Sequence, residues 1–222
     1  QNYGTERILA KLSEYGIPNK LAFQIQDFYK EETLEIVEHY PYQLVEDIQG
    51  IGFKIADQLA QSLGIESTAP ERFRAGLLHT LLIQSMEKGD TYLEAKELLE
   101  GTIELLESSR QIELDSSSVA DELAHLIEED KVQNVDTKIF ENSLFFAEEG
   151  IRSSLLRILE KGKQNKFESK KIEAAITQIE IEFAISYDVI QKQAICDAIN
   201  HKIFILTGGP GTGKTTVING II

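Results

Sequence analysis

The segment 208–215 constrains the fold of this chain more than any other, because it predicts the structure on both of its sides. It reads Gly-Gly-Pro-Gly-Thr-Gly-Lys-Thr and matches the pattern G-x-x-x-x-G-K-[ST] at every fixed position. The apolar run 203–207 before it predicts a strand that is buried on both faces, as in a parallel sheet. The residues 216–218 after it predict the start of a helix. Strand, loop and helix in this order predict the opening of an α/β domain.

The residue types in this loop suit a phosphate group. Glycine has no Cβ, so the loop can adopt positive φ angles and bring its N–H groups close to phosphate oxygens. The N–H groups and the dipole of the following helix favour negative charge. Lys214 would place a cation at the β- and γ-phosphates of ATP, and Thr215 would give its hydroxyl to Mg²⁺ as a metal ligand. The predicted ATP-binding residues of the loop are Gly208, Gly209, Pro210, Gly211, Thr212, Gly213, Lys214, Thr215 and Thr216.

Gln191 is the candidate for recognition of the adenine base. It lies before the predicted strand, and its amide offers both a donor and an acceptor to the base. Gln193 is a near neighbour, and the alternative is that either side chain merely faces solvent. Gln191 therefore joins the predicted ATP-binding set.

A second signal is a pair of similar phrases that open at Gly16 and Gly50, 34 residues apart. The second phrase, 50–56, predicts a helix-hairpin-helix whose turn meets a DNA backbone without reading bases. The first phrase, 16–22, has Pro18 in place of the second glycine, so it is predicted to be a degenerate copy that packs as a structural twin. The alternative for both is a tight helical turn with no ligand. The predicted DNA-contacting residues are Gly50, Ile51, Gly52 and Lys54.

Apolar spacing predicts a mainly α chain, with short helices over 5–65. The segments 68–71 and 91–94 both have capping-box form, so each predicts the start of a helix. Gly101 is expected to divide the helix that starts at the second segment. The segments 131–135 and 138–146 predict a β-hairpin that closes the preceding helices into a winged-helix-like unit. Further helices are predicted over 147–160, 171–181 and 187–199.

These patterns predict four regions. They are a tandem helix-hairpin-helix region (1–66), a helical winged-helix-like region (67–160), a linker (161–172) and the start of an α/β P-loop, RecA-like ATPase domain (173–222). The linker is assigned because its middle has almost no apolar residue, and a strip that contacts phosphates is the alternative.

The chain carries a net charge of −15, and this charge is unevenly distributed between its three parts. Residues 1–86 carry −5, residues 87–149 carry −13 and residues 150–222 carry +3. This balance argues against a protein that coats nucleic acid by bulk charge. The acidic third is interpreted as solvated helix faces, with a partner-binding or strand-separating surface as the alternative. No apolar run approaches the roughly 20 residues that span a bilayer, so no membrane contact is predicted.

Taken together, the motifs resemble those of RecD-like helicases. Residues 206–216 resemble their first helicase motif, the Walker A motif, and 191–195 resemble the adenine-reading motif just before it. Residues 50–57 resemble the N-terminal extension of the long-form members, which are often labelled exodeoxyribonuclease V alpha subunits. The resemblance covers essentially the whole chain, although only these motifs are specific.

The resemblance implies the N-terminal portion of a cytoplasmic bacterial DNA helicase, a hydrolase that uses ATP and Mg²⁺. It implies 5′→3′ movement, a role in DNA repair or recombination, and sequence-independent binding of single-stranded or junction DNA. Every later helicase motif is absent from the 222 residues, so we expect them to bind DNA weakly and to lack complete ATPase chemistry. Two alternatives remain: a non-catalytic DNA-binding or protein-docking module with a remnant phosphate loop, and a non-helicase ATPase with a hairpin DNA tether.

Overall fold

The computed structural model describes residues 2–161 and 166–222, which fall into two compact units within 1–146 and 147–222. The elements of the first unit are α1 (Asn2–Glu14), α2 (Asn19–Tyr29), a 3-10 turn (Lys30–Glu32), α3 (Thr33–His39), α4 (Gln43–Asp47), α5 (Phe53–Ser62), α6 (Pro70–Lys88), β1 (Tyr92–Glu94), α7 (Ala95–Arg110), α8 (Ser116–Glu128), β2 (Val132–Val135) and β3 (Lys138–Glu141). Helix α9 (Asn142–Glu160) begins in the first unit and ends in the second, which continues with α10 (Ser169–Phe183), α11 (Val189–Asn200) and α12 (Lys214–Ile221).

One apolar core serves the whole of the first unit. Buried side chains from the hairpin helices, such as Ile25 and Phe53, belong to the same cluster as Leu77, Leu106 and Leu126 of the following helices. Burial of this apolar surface is the main favourable term that holds helices as short as α4 in place. The predicted short helices over 5–65 are confirmed.

The three strands form one antiparallel sheet in the order β1-β3-β2. Leu93 pairs with Ile139, and both are buried, while Tyr92 pairs with Phe140 and the two rings lie 5.4 Å apart between centroids. The chain order is helix, strand, two helices and a hairpin, so the predicted winged-helix-like unit is confirmed within a mainly α fold. The hairpin turns at Asp136, whose φ of 55° is a conformation that aspartate tolerates better than most residues.

The predicted helix start near Thr68 is confirmed, but both predicted capping boxes are wrong. Thr91 does not cap a helix, because Tyr92–Glu94 is strand β1 and the helix begins after it at Ala95, with Glu94 as its N-cap. Helix α6 does begin at Pro70, but its N-cap is Ala69 and not Thr68. The reason is that proline disfavours the helical conformation in the residue before it. Ala69 is therefore extended (φ −62°, ψ 132°) and is the residue immediately before the helix.

Gly101 does not divide a helix, because α7 is continuous from Ala95 to Arg110. The glycine instead allows close approach to α6, since a Cβ at this position would lie 3.2 Å from Cγ2 of Thr80 and 2.5 Å from Nε2 of Gln84. Gly76 of α6 faces Leu106 of α7 in the same way, at 2.9 Å from its Cδ2. These two glycines therefore set the distance between α6 and α7.

The predicted buried strand at 203–207 is not formed, and Ile205 is 79% exposed. A strand needs a neighbour to pair its backbone groups, and all three strands of the described residues lie in the first unit. The predicted strand 138–146 is also too long: β3 ends at Glu141, and α9 begins at Asn142 instead of at 147.

Part of the predicted linker, 162–165, lies outside the described residues. Helix α10 begins at Ser169, two residues before its predicted start, and α11 lies within the predicted 187–199 except for its last residue, Asn200. The division of the chain at 66, 160 and 172 stays a prediction. Among the helices that the structure describes, none is long and apolar enough to cross a membrane.

Candidate nucleotide and DNA-contact sites

The loop 208–213 leads directly into helix α12. Gly211 and Gly213 both have a φ of 77°, which residues with a Cβ rarely adopt. Gly213 is the N-cap of α12, and its carbonyl accepts the N–H of Val217 at 3.0 Å. The first N–H groups of a helix have no partner within it, so the start of α12 offers donors to an anion.

Lys214 folds back over this loop. Its Nζ donates to the carbonyl oxygens of Gly208 and Gly209, each at 2.6 Å. Thr212 Oγ1 also donates to the Gly209 carbonyl, at 2.8 Å. The ammonium group thus already lies at the centre of the loop, where a phosphate would need a cation.

Gln191 lies against the same loop. A Cβ on Gly213 would be only 2.4 Å from Nε2 of Gln191, so the contact requires a glycine at position 213. The amide oxygen of Gln191 accepts the N–H of Asp188 at 3.0 Å, and Asp188 Oδ1 accepts the N–H of Gln191 at 2.8 Å. These two bonds form a capping box at the start of α11, which holds the amide at the edge of the loop.

The loop residues fit a nucleotide and a metal ion by their chemistry. Backbone donors and Lys214 suit phosphate oxygens, and the hydroxyl of Thr215, in the first turn of α12, is the hard oxygen ligand that Mg²⁺ prefers. No cluster of three or more acidic, histidine or cysteine side chains that could hold a metal ion occurs among residues 2–161 and 166–222. A metal here would therefore be held by Thr215 and by the phosphates. When bound, Mg²⁺ neutralises charge on those phosphates.

The two hairpins have the same backbone geometry. Gly16 and Gly50 both have positive φ, of 78° and 100°. Pro18 (φ −58°, ψ 142°) and Gly52 (φ −86°, ψ 170°) are both extended N-caps, of α2 and α5. Proline at position 18 therefore costs the first copy nothing in conformation, and the predicted structural twin is found.

The predicted DNA-contacting residues divide by exposure. Gly50, Gly52 and Lys54 are exposed, whereas Ile51 is buried in the core of the first unit. A Cβ on Gly52 would meet no atom within 4 Å, so the space beside this turn is open. Lys20 of the first hairpin is exposed like Lys54. Ile51 thus anchors the hairpin from inside, while the other three residues can reach a ligand.

A buried ionic cluster lies behind the second hairpin. Asp57 of α5 is 1% exposed and pairs with two arginines: Arg72 of α6, which is fully buried, and Arg110 at the end of α7. Burial opposes ionisation of Asp57, but the hydrogen bonds from Arg72, Ser109, Tyr42 and Arg110 outweigh it and lower the pKa of this carboxyl to about 2.

This cluster was not predicted from the sequence. The available signal was a charged residue at position 57, four residues after Phe53 and hence on the buried face of α5. A charge on such a face needs partners of opposite sign, although periodicity alone does not identify them. The cluster fixes the second hairpin to α6 and α7.

Comparisons with known proteins match the two ends of the chain. Residues 1–92 match the family model of the ATP-dependent RecD2 DNA helicase HHH domain, and residues 191–222 match that of an AAA domain. The resemblance to RecD-like helicases is confirmed. The chain is 23% identical over 229 residues to an ATP-dependent RecD2 DNA helicase of Deinococcus radiodurans. This alignment covers 97% of the chain and 30% of the relative, so the chain spans about a third of the length of this relative.

Proposed function

We propose that this chain is the N-terminal portion of an ATP-dependent, cytoplasmic DNA helicase that moves 5′→3′ and acts in DNA repair or recombination. The observation that carries the proposal is the contact between the Gln191 amide and Gly213 of the loop. This contact supports the proposal because an amide that can both donate and accept hydrogen bonds lies beside a loop whose residue types suit phosphate. The similarity of residues 1–92 to a RecD2 helicase domain supports the DNA part of the proposal.

The nucleotide site is tested by binding of ADP and ATP to the 222-residue chain, with and without Mg²⁺. We expect Lys214→Ala to abolish binding, because it removes the cation of the loop. Thr215→Ala should remove only the gain in ATP affinity that Mg²⁺ gives, since Thr215 is the proposed metal ligand. Lys170→Ala is the matched control, because Lys170 is an exposed lysine of α10. Equal binding by Lys214→Ala and the control would refute the site.

Hydrolysis is a separate expectation. The proposed site includes Lys214 and Thr215 but no acid that could orient a water molecule. We therefore expect the 222 residues to bind ATP without hydrolysing it at a meaningful rate. Robust Mg-dependent ATPase activity that disappears in Lys214→Ala would contradict this expectation.

DNA binding by the second hairpin is tested with Gly52→Ala. The φ of Gly52 suits any residue and its Cβ position is open, so the variant should fold normally. Its methyl group would nevertheless stand where a DNA backbone must approach. We expect weaker binding of a short single strand and of a forked duplex at low salt, with no dependence on sequence.

Lys54→Ala should weaken binding to all DNA sequences equally. It should also reduce the slope of log affinity against log salt concentration by about 1, as for the loss of one phosphate contact. Lys96→Ala is the control, because Lys96 is an exposed lysine of the acidic helix α7. Unchanged affinity in both hairpin variants would remove the hairpin from the DNA site.

The alternative function is a non-catalytic DNA-binding or protein-docking module with a remnant phosphate loop. One observation favours it: Lys214 is already satisfied by the carbonyl oxygens of Gly208 and Gly209. DNA binding by a chain that binds no nucleotide would support this alternative over the helicase.

A further inference from the structure

Glu180 of α10 contacts both sides of the turn that carries Gln191. Its Oε1 accepts the backbone N–H of Tyr187 at 2.8 Å, and its Oε2 accepts a hydrogen bond from Nζ of Lys192 at 2.9 Å. Only 16% of the Glu180 side chain is exposed. One carboxylate therefore joins α10 to the residue before the capping box and to the residue after it.

The capping box between these two contacts leaves Gln191 little freedom. Asp188 and Gln191 exchange two hydrogen bonds, one of which uses the Gln191 amide itself. A shift of Tyr187 or of Lys192 would move this four-residue turn as a body. The direction of the Gln191 amide therefore depends on where Glu180 holds the turn.

The opposite side of the turn rests on the helix that carries the loop lysine. Tyr187 is buried, and its hydroxyl lies 2.7 Å from the position a Cβ would take on Gly220 of α12. Ile195 of α11 approaches the same position at 2.7 Å. The start of α11 is thus held between α10 and α12, and these contacts set the distance from the Gln191 amide to the loop.

We propose that Glu180 is a positioning residue for base selectivity: it orients the Gln191 amide toward the adenine of a nucleotide whose phosphates lie on the loop. The inference rests on the proposed nucleotide site. Glu180 does not touch the nucleotide in this arrangement and acts through Tyr187, Lys192 and Gln191. It also lies before residue 191, where the match to the AAA domain begins.

The charge of Glu180 suits this role. The hydrogen bonds from Lys192 and from the Tyr187 N–H lower the pKa of its carboxyl, so the group is ionised at neutral pH. Glu180→Gln keeps an acceptor for the Tyr187 N–H but loses the ion pair with Lys192. Glu180→Ala loses both contacts, which gives a graded pair of variants.

The experiment compares the affinities of the 222-residue chain for ADP, GDP and pyrophosphate. We expect the unmodified chain to prefer ADP over GDP. Glu180→Ala should reduce that preference by about tenfold, the equivalent of one lost hydrogen bond, with pyrophosphate affinity unchanged. Glu180→Gln should give a smaller reduction, and it serves as the test if the alanine variant does not fold. Glu182→Ala, at an exposed glutamate of the same helix, is the control.

The outcomes separate this inference from the proposed function. An unchanged ADP preference in both Glu180 variants would overturn it, and so would a parallel loss for all three ligands, which a merely structural role predicts. If the unmodified chain binds none of the ligands, the nucleotide site itself fails and the inference fails with it. If Gln191→Ala keeps the ADP preference while pyrophosphate still binds, the phosphate loop stands, but the base-reading role fails and the positioning role fails with it.

Discussion

Removal of the Asp57 carboxylate should unfold the first unit at much lower denaturant. In Asp57→Ala, the fully buried Arg72 and the 5% exposed side chain of Arg110 would lose the only carboxylate with which either forms an ion pair among the described residues. Breaking a buried ion pair by removing one partner costs about 3–5 kcal/mol. The hydroxyls of Tyr42 and Ser109, each 2.6 Å from a carboxylate oxygen, would lose their acceptor as well. We therefore expect a loss of about 4 kcal/mol in the free energy of unfolding.

Urea unfolding followed by tyrosine fluorescence suits this measurement, because six of the seven tyrosines lie in residues 1–146 and the chain has no tryptophan. With a slope of about 2 kcal/mol per molar urea, the midpoint should fall by about 2 M. Asp27→Asn is the matched control, since Asp27 pairs with Lys30 on the exposed surface and should cost less than about 1 kcal/mol. A midpoint for Asp57→Ala equal to that of the control would refute the reasoning.

Further predictions follow from other contacts. The pKa of Asp57 is lower in the folded state, at about 2 against an ordinary 3.8, so its contribution of about 2 kcal/mol is present above pH 4 and is lost as the pH falls toward 2. The free energy of unfolding, measured as the pH is lowered, should show this loss in the unmodified chain and not in Asp57→Asn. Identical curves of stability against pH for the two proteins would count against the prediction. The figure is smaller than that for Asp57→Ala, because a protonated carboxyl still accepts hydrogen bonds. Gly76→Ala should destabilise the first unit by about 1–2 kcal/mol in urea unfolding, because its Cβ would press on buried Leu106. Gly101→Ala should cost less than Gly76→Ala, because its closest contact is the flexible end of the Gln84 side chain and buried Thr80 lies farther away, at 3.2 Å. Equal losses of stability in the two variants would contradict this difference. Gly50→Ala should cost about 1–3 kcal/mol because its φ is 100°, whereas Gly52→Ala should leave the thermal midpoint unchanged, and the reverse order would contradict the hairpin geometry.

The sequence by itself determined the features that depend on local chemistry. The spacing of glycines and Lys214 defined the loop, and the structure gives Gly211 and Gly213 the positive φ that glycine tolerates. The 34-residue repeat indicated two hairpins, and both are present. The two segments on either side of Asp136, 131–135 and 138–146, indicated the β2–β3 hairpin. In each case the residues that decide the conformation are neighbours in the chain.

Tertiary structure decided the features that depend on distant partners. The sequence of β1 predicted a helix cap, but in the folded chain its backbone pairs with β3. The sequence of 203–207 predicted a strand, but this segment has no pairing partner among the described residues. Gly101 looked like a helix break, yet it serves the contact with α6. The Asp57 cluster joins residues 15 to 53 positions apart along the chain. Periodicity shows which face of a helix is buried but not what covers it, so only the folded chain assigns these roles.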